Sequence, residues 1–293
     1  MKKVRILIGF LAILFFLMPL TGCGSFRRDF SIMREDLGMQ EKHRIDYHIF
    51  DTGRPGPNVV VIGGVHGNEI AGWGAALYIV ENIENFGLNY GRLLVMPKAN
   101  RLSVTVNDRW PGRLLPGHEP ESVSYRGEAA TTDAASATSN ANYLNLNRVF
   151  PGDINSVSLT RRIAALITEV LDDFEPDLII DLHEATMTHA HGSLGHTLIT
   201  PEWNYLAAQQ AVDELNASGL TPELDFIPLV SSGDSGLTTT AFTERFNIPV
   251  FITETTRYER LAPNPNRPII SLERRVQQQV FLVRSLMAIY GSM

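Results

Sequence analysis

His66 and Glu69 are spaced H-x-x-E within Gly63-Gly64-Val65-His66-Gly67-Asn68-Glu69, at the point where an apolar run ends. Across such a turn an imidazole nitrogen and a carboxylate oxygen can converge on one cation. Zinc takes nitrogen and oxygen donors tetrahedrally, and a catalytic site keeps one position for water. The glycines let the backbone turn tightly. H-x-x-E alone recurs by chance, and the Gly-Gly before it and its place at the end of the run give it weight. A second segment, Asp181-Leu182-His183-Glu184, also closes an apolar run. His183 would be the third ligand, with Asp181 or Glu184 placed to orient an imidazole from behind.

Two further segments suit the same site. In Asn145-Leu146-Asn147-Arg148-Val149-Phe150-Pro151-Gly152, an amide and a guanidinium lie side by side. Arginine grips a carboxylate through two parallel hydrogen bonds, so Asn147 and Arg148 read as a fork for a substrate carboxylate. Taken alone, the segment would be a surface turn with a solvated arginine. Val250-Phe251-Ile252-Thr253-Glu254 ends an apolar run on a carboxylate, which is costly to bury without a task or a partner. In metal-assisted hydrolysis the task is proton transfer from water to the leaving amine. The plainer role is a salt bridge, for instance with Arg257.

These residues need elements to hold them. Residues 47–50, 58–62, 93–96, 178–182 and 250–253 read as strands, and 58–62 and 178–182 are apolar enough for a buried sheet. Helical patterns cover 70–83, 159–174, 201–216 (with Pro201 in the first turn), 237–246 and, as a long amphipathic helix, 270–290. Residues 107–142 carry prolines and glycines, then a run of Ala, Ser, Thr and Asn, and read as a loop insertion. Strands alternating with helices imply an α/β fold in one domain over residues 44–293, with a mixed, mostly parallel central sheet covered by helices on both faces. The functional residues then sit at the C-terminal ends of strands, where open α/β sheets place ligands.

The formal net charge of −7 over 293 residues excludes a general nucleic-acid binder, which needs a basic face. The N-terminus is a different material. Lys2, Lys3 and Arg5 precede an apolar run from Ile6 to Leu20, and Leu20-Thr21-Gly22-Cys23 follows. This is the pattern of an export signal over residues 1–22, and the tetrapeptide resembles the bacterial lipobox, whose cysteine is acylated. The run is shorter than the roughly 20 residues of a comfortable span. Cys23 is also the only cysteine, so no internal disulfide accounts for it. The expectation is a lipid-anchored, exported protein facing the periplasm or cell exterior, with residues 23–43 as a tether.

Taken in order, Gly-Gly-x-His-Gly-Asn-Glu, Leu-Asn-Arg-x-Phe-Pro-Gly, Asp-Leu-His and a strand-end Glu resemble the succinylglutamate desuccinylase/aspartoacylase family, a branch of the zinc carboxypeptidase-like superfamily. The resemblance runs from about Asn58 to Glu254. It implies one Zn2+ ion on His66, Glu69 and His183, a substrate carboxylate on Asn147 and Arg148, and Glu254 as general base and then acid. It also implies an arginine that polarises the scissile carbonyl, for which Arg109 and Arg126 are the candidates, Arg109 slightly preferred. Two departures bear on the substrate. The family's β-rich C-terminal domain has no counterpart after Glu254, and Ser231-Ser232-Gly233-Asp234-Ser235 stands where carboxypeptidases place a tyrosine. The expected reaction is hydrolysis of an amide beside a free carboxylate, on an N-acyl amino acid. The alternatives are a cell-surface metallocarboxypeptidase acting on peptides, such as peptidoglycan stem peptides, and a catalytically silent ligand-binding lipoprotein.

Overall fold

The computed structural model describes residues 26–109, 145–156, 158–222, 224–257 and 270–293. Its strands are β1 (Phe26–Ile32), β2 (Ile45–Asp51), β3 (Asn58–Gly63), β4 (Arg92–Met96), β5 (Leu178–Ala185), β6 (Thr197–Thr200), β7 (Ile227–Val230) and β8 (Val250–Thr256). They form one sheet in the order β1-β2-β4-β3-β5-β8-β6-β7. The central strands β4, β3, β5 and β8 run parallel, and β6 joins β8 antiparallel. Antiparallel β2 and β1 complete the other edge. The helices are α1 (Ile70–Glu81), α2 (Ile83–Phe86), α3 (Arg101–Val106), α4 (Leu159–Phe174), α5 (Tyr205–Ala217), α6 (Thr238–Phe246) and α7 (Leu272–Ile289).

The two-residue period of the strands sorts the core into two layers. Val59, Val61, Leu178, Ile180 and Leu182 pack with Ala75 and Ile79 of α1, Val212 of α5 and Leu282 and Leu286 of α7. Val60, Ile62, Leu94 and Ile179 pack on the opposite face with Ile163, Leu166 and Ile167 of α4 and Phe242 of α6. Both faces of the central strands are therefore dry, which is why those strands read as unbroken apolar runs. This is the mixed, mostly parallel α/β fold expected from the sequence.

The structure departs from the expected tether over 23–43. Residues 26–32 form β1, paired along its whole length with β2, and Phe30 stacks on Tyr47 with ring centroids 5.3 Å apart. The strand is almost wholly exposed. An edge strand held by backbone pairing needs little apolar content, so its charged sequence concealed it. The short strands β6 and β7 also escaped the pattern. β7 is an edge strand carrying Pro228, which only an edge accommodates. Strands β5 and β8 run three residues beyond their apolar stretches, through His183, Glu184 and Ala185 and through Glu254, Thr255 and Thr256, of which all but Ala185 are buried. Residues 1–25, with the signal and Cys23, and residues 110–144, with Arg126 and nearly all of the expected insertion, lie outside the described residues.

Candidate metal centre

At the end of β3 the chain turns through Gly64, whose φ of +71° suits glycine, and enters α1. The turn delivers His66 and Glu69, and the tail of β5 delivers His183. One donor atom from each of the three lies within 4.8 Å of the others. All three side chains are buried. His66 Nδ1 is 2.8 Å from Glu69 Oε1, and His183 Nδ1 is 2.8 Å from Glu69 Oε2. The two Nδ1 atoms face each other at 3.1 Å.

The outer nitrogens are held as well. His66 Nε2 lies 2.7 Å from Asn145 Oδ1, and His183 Nε2 lies 2.9 Å from Asp181 Oδ2. An oxygen acceptor on the far side of each ring holds the proton there and leaves Nδ1 free to ligate. Between Asp181 and Glu184, it is thus Asp181 that orients the imidazole. Thr238, at the start of α6, donates its hydroxyl to Asp181 Oδ2 at 2.8 Å.

The electrostatics of the group suit a cation. Burial alone would raise the Glu69 carboxyl, but His66 and His183 beside it pull it well below the ordinary value. Burial opposes charge on His183, yet Asp181 and Glu69 hold it well above the ordinary histidine range. Burial keeps His66 low. Asp181 and Glu69 thus favour positive charge at this point of the site. Two imidazoles and a carboxylate, with both Nδ1 atoms turned to one point, fit a single zinc ion and its N/O preference.

Glu254 stands beside this group. In the parallel pairing of β5 with β8 it is the partner of His183, so the two side chains share a face. Glu254 is 9% exposed, and its Oε2 has no hydrogen-bond partner among the described residues. Burial, then the nearby Glu69 charge, push its carboxyl up to about 8, against the pull of His183 and Arg109. Arg257 instead donates to the Asn68 carbonyl. Arg109 reaches the centre too, and its Nη1 donates to Glu69 Oε1.

Asn147 and Arg148 lie on the same rim, in a short 3-10 turn (Leu146–Arg148). Asn147 Oδ1 accepts the Thr238 N–H at 2.8 Å, and its Nδ2 lies 3.4 Å from His183 Nε2. Its Oδ1 is thus committed to the protein, whereas Nδ2 faces a ring nitrogen that carries its own proton and makes no hydrogen bond with it. Arg148 is half-buried, with Nη1 donating to the Asn147 carbonyl at 2.5 Å. Asn145 and Thr238 were not singled out from the sequence. Asn145 belongs to a quoted segment and could have been found there, whereas Thr238 comes from a helix whose sequence gave no signal.

Residues 55–276 match the succinylglutamate desuccinylase/aspartoacylase catalytic domain. The chain belongs to this family. A search of curated proteins by sequence found no match. Among solved structures, the chain is similar to a succinylglutamate desuccinylase/aspartoacylase from Rhodobacter sphaeroides, at TM-score 0.57 and 16% identity, covering 92% of this chain and 66% of that one. It also resembles the product-bound ectoine utilization protein EutE (DoeB) from Ruegeria pomeroyi (TM-score 0.54, 17% identity, 94% and 70% covered). A third is the tripeptide-bound cell shape determinant Csd4 from Helicobacter pylori (TM-score 0.55, 14% identity, 92% and 56% covered). The chain thus carries the catalytic domain of a hydrolase family, with a His-Glu-His group suited to one metal ion.

Proposed function

We propose that this protein is a zinc-dependent hydrolase that cleaves an amide bond next to a free carboxylate, with an N-acyl amino acid as substrate. The observation that carries this reading is Glu254: a buried carboxylate, its Oε2 without a hydrogen-bond partner among the described residues, on the same face as the His66-Glu69-His183 group and in register with His183. A zinc ion supplies Lewis acidity there, polarising a carbonyl and lowering the pKa of a water toward about 7. Glu254 takes the proton of the attacking water on a carboxylate oxygen and passes it to the leaving amine. Burial and the neighbouring Glu69 raise its carboxyl toward neutrality, which suits a group that must both accept and return a proton. Arg148 holds the substrate carboxylate, and Asn147 lines that end. Arg109 donates to the oxygen of the scissile carbonyl as negative charge develops. That role requires its guanidinium to turn from Glu69, the contact it makes here.

A second reading, a metallocarboxypeptidase acting on short peptides, draws support from the likeness to Csd4, whose structure holds a tripeptide. Both readings need the same centre and a substrate with a free carboxylate. For the N-terminus we propose export and acylation of Cys23, tested by labelled palmitate incorporation into the wild type and a Cys23→Ala variant.

The deciding experiment uses the protein starting at Gly24, with its zinc content measured. It is offered N-acyl amino acids and short peptides, with and without a chelator, beside Glu254→Gln. Cleavage in one panel, abolished by chelator and lowered at least about 1,000-fold by Glu254→Gln while zinc stays bound, is the expected result. Zinc binding with full activity in Glu254→Gln would remove the proposed base.

A further inference from the structure

The tails of β5 and β8 bury polar residues on both faces. Asp181 and His183 lie on the α4/α6 face of β5, whereas Leu182 and Glu184 lie on the face covered by α1 and α7. Behind the metal centre, Glu184 Oε2 accepts the Ala71 N–H at 2.7 Å, and Thr255 Oγ1 is 3.4 Å from Glu184 Oε1. Arg275 of α7 forms an ion pair with Glu184 Oε1 at 3.3 Å, the two side chains being 1% and 0% exposed. One turn further along α7, Gln279 uses its whole amide. Its Nε2 donates to the His183 carbonyl at 2.7 Å and to Thr255 Oγ1 at 3.1 Å, and its Oε1 accepts from Thr253 Oγ1 at 2.8 Å.

A buried ion pair of this kind is weak evidence for stability, because well-packed apolar residues of similar volume often do as well. Its connections suggest a different task. The backbone N–H of Glu184 donates to Glu69 Oε2 at 3.1 Å, while its carboxylate holds the backbone of Ala71, two residues after Glu69. Its chain neighbour is His183. A shift of Glu184 therefore moves two of the three ligands together.

We propose that Arg275 and Gln279 are positioning residues of the metal centre. Arg275 acts through Glu184, and Gln279 through the backbone of His183, and together they hold Glu69 and His183 at ligating distance from behind the sheet. The inference rests on the metal reading of the front face and adds the last helix to the site. Partners behind the ligands that orient them are typically worth about 10- to 100-fold in metal affinity.

The test uses the full-length protein, purified in detergent and stripped of metal, with Arg275→Met, Arg275→Lys, Glu184→Gln and Gln279→Leu variants. Zinc affinity is measured by competition with a chelator of known affinity. The visible absorption of the cobalt(II)-substituted protein reports ligand geometry, and thermal melting of the metal-free protein reports stability separately. Expected are a loss of zinc affinity of about 10- to 100-fold in Arg275→Met and Gln279→Leu, an altered cobalt spectrum, and partial recovery in Arg275→Lys. If Arg275→Met does not fold, the decision passes to Glu184→Gln and Gln279→Leu, which leave Arg275 in place. Zinc affinity and cobalt spectra equal to wild type, with only the melting temperature lowered, would overturn the proposal. A wild-type protein that binds neither metal would overturn the metal reading itself, and this inference with it.

Discussion

In the proposed reaction, substrate recognition turns on Arg148. Burial, then the nearby Arg109 charge, lower its guanidinium pKa, while Asp234 and Glu254 oppose that shift. A partly desolvated cation gains more from a carboxylate than an exposed one does. Hydrogen bonds to charged groups are worth about 1.5–3 kcal/mol, so Arg148→Ala should raise KM roughly 10- to 100-fold with a smaller effect on kcat. Steady-state kinetics on the substrate found in the panels above check this, and an unchanged KM would free Arg148 of the role. His196 offers a test of stability. Its ring is buried, stacks on Phe226 at 4.7 Å, and has its pKa pushed down to about 4 by burial, with His189 adding to the shift. The unfolded chain then binds the extra proton between about pH 6.5 and 4, so this contribution is complete above that window and lost as pH falls through it. His196→Phe keeps the stack and should flatten that part of the acid lability, by on the order of 3 kcal/mol in total. Urea unfolding at pH 7 and at pH 4.5, compared between the two proteins, measures it.

Among the elements, the passage from β3 into α1 carries the most constraint. Gly67 lies against α3, and a Cβ there would sit 1.9 Å from the Ser103 carbonyl carbon and oxygen. The contact is backbone and cannot yield cheaply, and the Gly67 N–H also donates to Ser103 Oγ at 2.9 Å. Gly67→Ala should therefore destabilise by more than about 2 kcal/mol and displace His66, its neighbour. Chemical denaturation and zinc titration of this variant would show both effects, and a neutral result would mean that the turn is looser than its packing indicates. Element boundaries also explain how the site is shared: the strand tails supply His183 and Glu254, while the starts of α1 and α6 supply Glu69 and the Thr238 contacts.

For the molecule as a whole, the proposed binding of zinc should couple to stability. Anything that binds only the folded state stabilises it by mass action, about 2.7 kcal/mol at 100 times Kd. For a domain of this size, that corresponds to a rise in Tm of roughly 5–10 °C, reversed by chelator. The rise should grow with pH. His183 is held well above its ordinary pKa by Asp181 and Glu69 despite burial, so zinc has to displace a proton that is scarcer at higher pH. Calorimetry at pH 6 and pH 8 with and without zinc would decide it, and a pH-independent shift would place the metal elsewhere. Among the described residues, no helix is long and apolar enough to cross a membrane.

What the sequence determined by itself was the set of strand-end segments. Apolar runs such as Val59–Ile62 and Leu178–Ile180 identify central strands because both their faces are buried, and the polar residues that end such runs have to sit at the sheet's C-terminal edge. His66, Glu69, His183 and Glu254 could be named on that basis, and so could the α/β class. What only the tertiary structure decided lies where local pattern is silent. The charged β1 and the four-residue β6 and β7 are strands through pairing with neighbours that are distant in the chain. Asp181, not Glu184, orients His183, because the pleat sends the two carboxylates to opposite faces of the sheet. Arg275 and Gln279 looked like ordinary polar positions on an amphipathic helix, and a polar side chain's burial and partners depend on which surface that helix covers.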